Sequence, residues 1–224
     1  MLTQCRVLVL VLALGGGWLN QALERRDGPA ALSVWVHEIL GARKELRNRP
    51  PGMVPNKFHY MTTDLKRLSN YFGVHLSPPS NAFEAMFEKG TLNAMRFVTA
   101  VAEKEKEGDM LVERVSRELW KRIWSTDQDI TQPASLTEAG LKAGLSANEV
   151  EEILTLSKSQ PIKDKLKSVT EEALEHKCFG FPCTVCYVNG KTEVFFGSDR
   201  FELMAYCIGE KWVGPQPANP TAKM

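Results

Sequence analysis

Charge of one sign is missing from this chain. Its 28 Lys and Arg against 27 Asp and Glu leave a formal net charge of +1, and without a basic stripe no nucleic-acid partner is expected. Cysteines are few: five, an odd number at irregular spacing, which argues against a secreted disulfide framework and for a reducing compartment. No apolar run is long enough for a stable membrane span. Metal-ligand spacing is lacking too, since His37, His59, His75 and His176 stand in no register with cysteines or carboxylates, so no metal is expected. Gly15-Gly16-Gly17 lacks the lysine and hydroxyl that a phosphate loop needs, and no serine-hydrolase elbow is present. What remains is a chain of 224 residues, 43% apolar, enough for one large domain or one domain with a sizeable insertion.

The start of the chain leaves alternatives open. Val7 to Leu14 is a continuous apolar run with the length of a buried strand. It also has the length of a signal-peptide core, although Arg6 alone makes a thin basic region and no small-residue cleavage site follows. An unstructured or misassigned start is the third reading. An amphipathic helix is predicted over 30–46, with Leu32, Trp35, Val36, Ile39 and Leu40 on one side and Pro50-Pro51 ending it. From Thr62 to His176 the chain reads as helical throughout. Ser135-Leu136-Thr137-Glu138 and Ser146-Ala147-Asn148-Glu149 have the form of capping boxes, and Gly144 separates two helices. Trp120 and Trp124, one turn apart, read as core, and Lys104 and Lys106 as a solvated helix end. Pro215 to Met224 is too rich in proline to fold alone.

The richest stretch follows. Phe179-Gly180-Phe181-Pro182-Cys183-Thr184-Val185 reads as a strand led in by a proline. Asn189-Gly190 between apolar runs predicts a hairpin, and Phe195-Phe196-Gly197-Ser198-Asp199-Arg200 leads from the second strand into a helix capped by Ser198 and Asp199. A proline at a strand start sits at an edge or turn, where its carbonyl and the Phe181 backbone can face an extended peptide. A helix N-terminus collects carboxylates. Together these predict a site for a small, extended, anionic peptide. Cys183-Thr184-Val185-Cys186 has the spacing of a redox dithiol, but in a strand its two side chains point to opposite faces and their Cα atoms lie about 10 Å apart, beyond disulfide reach.

These runs, with Asn48-Arg49-Pro50-Pro51-Gly52, Ala94-Met95-Arg96-Phe97-Val98-Thr99-Ala100 and Glu118-Leu119-Trp120-Lys121-Arg122-Ile123-Trp124, resemble the kappa-class glutathione transferases, a DsbA-like branch of the thioredoxin fold. The resemblance covers residues 48–214. It implies an α/β, thioredoxin-like fold with an inserted all-helical domain and an incomplete N-terminal βαβ part. The divisions expected are an atypical N-terminal segment (1–57), a helical insertion (58–176), a β-β-α half (177–214) and a flexible tail (215–224). The resemblance further implies glutathione as co-substrate. Asn48 would contact it, the backbone of Phe181 before a cis Pro182 would pair with its cysteinyl part, and Ser198 and Asp199 would hold its γ-glutamyl end. Lys57 is a further charge partner for a substrate carboxylate.

The implied reaction is conjugation of glutathione to small electrophiles, a detoxification chemistry, with hydroperoxide reduction as a second. The same resemblance implies a homodimer in the peroxisome or mitochondrion. Ala222-Lys223-Met224 resembles a relaxed Ser-Lys-Leu peroxisomal address, whereas a signal segment at Val7–Leu14 would imply the secretory route. One departure stands out: the family's Ser-Pro-Tyr-Ser-Trp turn, whose first serine activates the glutathione sulfur, is absent. The catalytic residue is therefore unassigned. A non-catalytic glutathione-binding or dimerising protein is the alternative, followed by a disulfide oxidoreductase or a hydroxychromene-carboxylate isomerase of the same fold.

Overall fold

A computed structural model describes residues 4–8, 54–77, 79–81, 84, 90–105, 110–180, 182–188, 190–197, 199–212 and 214. In chain order these form β1 (Gln4–Leu8), α1 (Pro55–Phe72), α2 (Leu92–Lys104), α3 (Met110–Ser125), α4 (Pro133–Lys142), α5 (Ala147–Leu156), α6 (Gln160–Glu175), β2 (Cys183–Val188), β3 (Lys191–Phe196) and α7 (Phe201–Ile208). The helix expected over 30–46, Asn48 and the C-terminal tail lie outside the described residues. The boundary expected between residues 57 and 58 falls within α1, which runs through it from Pro55.

The helical block forms because its apolar residues recur with helical period. α3 buries Val112, Val115, Ser116, Leu119, Trp120, Ile123 and Trp124, one stripe facing the core. α2 buries Ala94, Met95, Phe97, Val98, Ala100 and Val101 against it. Each large side chain withdrawn this way stabilises the fold by about 1.5–3 kcal/mol. Trp120 and Trp124 are core, as their spacing predicts. Lys104 reaches the Glu152 carboxylate at 2.8 Å with both groups exposed.

Two capping boxes were expected and one forms. Ser146 accepts from the Glu149 backbone while the Glu149 carboxylate returns to the Ser146 N–H. Ser135 does not start a helix. Pro133, with its φ fixed for a first helical position, begins α4 two residues earlier. Gln132 holds the capping position without a side-chain bond, and Asp129 braces the turn before it: its carboxylate accepts the backbone N–H of Thr131 (3.0 Å) and Gln132 (2.9 Å) and the hydroxyls of Thr131 (2.7 Å) and Ser135 (2.8 Å). Glu138, the other half of the expected box, pairs with Arg122 at 2.6 Å and Lys142 at 2.7 Å. Gly144, at φ +100, ends the helix before α5 as predicted.

The strands make one antiparallel sheet in the order β1-β2-β3. The predicted hairpin is present: Val188 pairs with Lys191 across Asn189-Gly190, and Cys183 with Phe196 at the far end. The strand reading of the chain's start holds through Val7 and Leu8, but β1 begins earlier, at Gln4, and its Leu8 lies opposite Cys183. β2 is thus the central strand, and Cys183, Thr184, Val185 and Cys186 are all buried. Burial on both faces accounts for a continuous apolar run where a half-exposed strand would alternate.

Candidate functional site

The hairpin brings the start of β2 and the end of β3 to one end of the sheet, with α7 opening just beyond. Pro182 lies at this end, half-buried, immediately before Cys183. Its carbonyl accepts the Gly197 N–H at 3.0 Å. This corrects the expectation of a bare carbonyl: that oxygen is spent on Gly197, just past β3, and β2 is no edge strand. Phe179 packs on Phe196 with ring centroids 4.4 Å apart, and both rings stay partly exposed. They form an apolar rim beside Pro182.

Gly197 turns the chain from β3 toward α7 at φ +108, a conformation L side chains rarely adopt. A Cβ there would stand 2.6 Å from Asp199 Oδ1. The glycine therefore lets the Asp199 carboxylate lie against the turn. Asp199 does not cap α7. The helix begins at Phe201, Arg200 occupies the capping position without a side-chain bond, and Arg200 Nη1 instead donates to Asp199 Oδ2 at 2.7 Å. The Asp199 side chain is 61% exposed, which leaves its carboxylate open to a cationic group from solution.

Of the predicted site residues, Pro182 and Asp199 are gathered at this sheet end through Gly197. Asn48, Phe181 and Ser198 lie outside the described residues. Lys57 is exposed in the first turn of α1. A separate cavity of about 180 Å³, lined in part by Pro79, Asp127, Asp129 and Thr131, includes none of the predicted site residues. Among the described residues no group of three or more His, Cys, Asp or Glu could hold a metal, and no helix is long and apolar enough to cross a membrane.

Sequence reasoning missed one feature here. Cys183 is bonded not to Cys186 but to Cys178, across a Cα–Cα distance of 6.3 Å. The chain reverses at the end of α6: Lys177 N–H donates to Leu174 O (2.9 Å) and Cys178 N–H to Ala173 O (3.0 Å). Lys177 takes the left-handed conformation at φ +61 that usually falls to glycine. This turn aims Cys178 at the start of β2. A glycine at the reversal would have been the signal, and the sequence has lysine there.

A central strand antiparallel to both neighbours, followed by a hairpin partner and a helix, with a helical block inserted before it, defines the C-terminal half of a thioredoxin-type fold. The DSBA-like thioredoxin domain matches residues 17–209. The chain is 43% identical over 186 residues to human glutathione S-transferase kappa 1, covering 83% of this chain and 81% of the human one. With the Caenorhabditis elegans protein of the same name identity is 34% over 185 residues, 82% of this chain and 78% of the relative. The structure of a 2-hydroxychromene-2-carboxylate isomerase superposes with a TM-score of 0.65, covering 93% of this chain and 95% of that one at 17% identity, a likeness of fold alone. The chain belongs to the DsbA-like thioredoxin family and, within it, groups with the kappa-class glutathione transferases.

Proposed function

We propose that this protein is a kappa-type glutathione transferase, joining the glutathione sulfur to small electrophiles, with hydroperoxide reduction as a second reaction. The observation that carries the proposal is 43% identity over 186 residues to a protein named as such. The sheet-end geometry supports it. The Phe181 backbone, one residue before Pro182, pairs with the cysteinyl unit of an extended tripeptide. Asp199 and Ser198 take the γ-glutamyl ammonium, for which an exposed carboxylate held at a tight turn is the right chemistry. Asn48 and Lys57 supply contacts from the N-terminal side. No metal takes part in this reading.

A second reading, binding without turnover, is favoured by one observation: no Ser-Pro-Tyr-Ser-Trp run occurs in the sequence. The thiolate is the nucleophile, and a free thiol near pKa 8.5 is only a few per cent ionised at pH 7. Titration calorimetry with glutathione and a conjugation assay on an aryl halide separate the readings. Binding with turnover supports the transferase, binding without turnover supports the second reading, and no binding refutes both. The proposal extends to a homodimer, tested by sedimentation, and to a peroxisomal or mitochondrial location. A fluorescent fusion ending in Ala222-Lys223-Met224 becomes punctate on the peroxisomal reading and disperses when Met224 is deleted.

A further inference from the structure

Three helices meet around a small cavity of about 60 Å³ that includes no residue of the sheet end. α2 contributes Asn93 and Arg96, α4 opens beside it with Pro133 and Leu136, and α5 ends at it with Ser157 and Lys158. Asn93 Nδ2 donates to Thr131 O at 3.1 Å, which ties α2 to the segment leading into α4. The charge around the cavity is of one sign. Arg96 and Lys158 are cations, and no described residue lining it is a carboxylate. The Arg96 Nε–H is buried and has no hydrogen-bond partner. Among the described residues neither cation forms an ion pair.

Buried polar groups are nearly always bonded, and a charged donor left without an acceptor is costly. An N–H so placed, beside a second cation, matches an acceptor that is itself negatively charged. The helix ends do not reverse this balance. The positive end of α4 and the negative end of α5 both border the cavity, each equivalent to about half a charge, so they offset and the two formal charges decide. Lys158, just past the end of α5, also complements that helix's dipole, but this leaves the Arg96 N–H unexplained. We propose that the cavity is an anion subsite that takes one phosphate group, with the Arg96 guanidinium as its fixed donor and Lys158 as the second charge. Two cations without a counter-charge favour a dianion over a monocarboxylate, and the guanidinium fork spans two of its oxygens. One water needs about 10–15 Å³ of such volume, so the cavity has room for a phosphate group and not for a long chain. Pro133 and Leu136 offer no polar side-chain atom, and the Ser157 hydroxyl donates to Leu154 O at 2.8 Å. Recognition therefore falls to Arg96, Lys158 and the second amide N–H of Asn93. Free inorganic phosphate and the end of a small phosphomonoester share this chemistry.

The test is calorimetric titration of the full chain with inorganic phosphate, methyl phosphate and acetate, each without glutathione and at one ionic strength. A pH of about 8 lies above the second pKa, near 6, of a phosphomonoester. One phosphate should bind per chain, with acetate at least about tenfold weaker. Arg96→Gln should weaken phosphate at least about tenfold, and Lys158→Gln, at an exposed position, about threefold. Lys167→Gln, in an exposed pair with Glu171 on α6, should leave binding unchanged. Should Arg96→Gln fail to fold, Arg96→Lys, which keeps the charge and loses the fork, decides together with Lys158→Gln. Methyl phosphate binding as well as inorganic phosphate supports a phosphomonoester as ligand, and binding of inorganic phosphate alone supports the free ion. No saturable phosphate binding, binding indifferent to both substitutions, or acetate binding as tightly as phosphate overturns the inference. None of these outcomes depends on the glutathione reading.

Discussion

Gly197→Ala separates what the turn does for the fold from what it does for the ligand. At φ +108 a non-glycine residue carries a backbone cost of about 1–2 kcal/mol. The new Cβ would also lie 2.6 Å from Asp199 Oδ1 and 3.8 Å from its Cγ, so one of the two must move. The carboxylate yields, because its side chain is 61% exposed and its pairing with Arg200 is a surface ion pair worth at most about 1 kcal/mol. The backbone effect therefore dominates stability, and a chain of this size loses roughly 2–8 °C in Tm. Binding responds differently: the rotated carboxylate no longer meets the ligand's ammonium, and at such exposure that contact accounts for about 1 kcal/mol, near fivefold in Kd. Asp199→Ala makes the same loss of affinity with Tm nearly unchanged. Thermal unfolding by circular dichroism and calorimetric titration with glutathione measure the two effects. A Gly197→Ala chain as stable as its parent refutes the backbone argument, and an Asp199→Ala chain of undiminished affinity removes Asp199 from the site.

Three further predictions concern other regions. Burial raises the Asp129 pKa, but hydrogen bonds from Gln132, Thr131 and Ser135 outweigh it, and the carboxyl titrates below its ordinary 3.8. A depressed folded pKa contributes stability above the unfolded value, and that contribution is lost as pH falls through the folded one. Asp129→Ala removes these hydrogen bonds, so it should cost about 1–3 kcal/mol at pH 7 and show a shallower decline below about pH 4 in urea titrations; an unaltered acid slope would count against the assignment. Lys177→Gly relieves the left-handed strain at φ +61 and should raise stability by about 0.5–1 kcal/mol in the same titrations, whereas a loss would mean that the lysine side chain has a structural role. Grafting a Ser-Pro-Tyr-Ser-Trp start onto the chain should raise aryl-halide conjugation at least about tenfold, by lowering the thiol pKa about two units; equal rates would place the activating group elsewhere.

Features set by neighbours in sequence were legible in advance. Asn189-Gly190 between two apolar runs predicts the hairpin that β2 and β3 form, and Ser146 with Glu149 closes its own capping box. Where a distant group competes, local pattern loses. Ser135 satisfies the same capping pattern, yet Asp129 reaches its hydroxyl and Pro133 sets the helix start. Ser198-Asp199 reads as a cap because the pattern ignores Arg200, which takes the carboxylate first. A continuous apolar run carries no register, so the onset of β1 at Gln4 was not readable from Val7–Leu14. The pairing of Cys178 with Cys183 depends on a lysine in a glycine conformation, which no propensity would propose. At the sheet end, the place of Pro182 at the start of β2 and of Asp199 in the turn before α7 was readable from the β-β-α pattern; the part played by Gly197 emerged only from the approach of Asp199 to its backbone.

The pairing of β1 with β2 also bears on how the chain is born. Leu8 meets Cys183 and Gln4 meets Tyr187, so the partners are separated by about 180 residues of synthesis, or some 10–35 s at the usual 5–20 residues per second. Over that interval the helical stretch from Pro55 to Glu175 leaves the ribosome with all its local contacts available, while β1 waits with an unpaired apolar edge. Long-range pairing of this kind is slow, and the strands left waiting are prone to aggregate. Refolding should accordingly lag in the sheet and lead in the helices, and a chaperone that holds the first residues during translation would raise yield more than one acting on the finished chain.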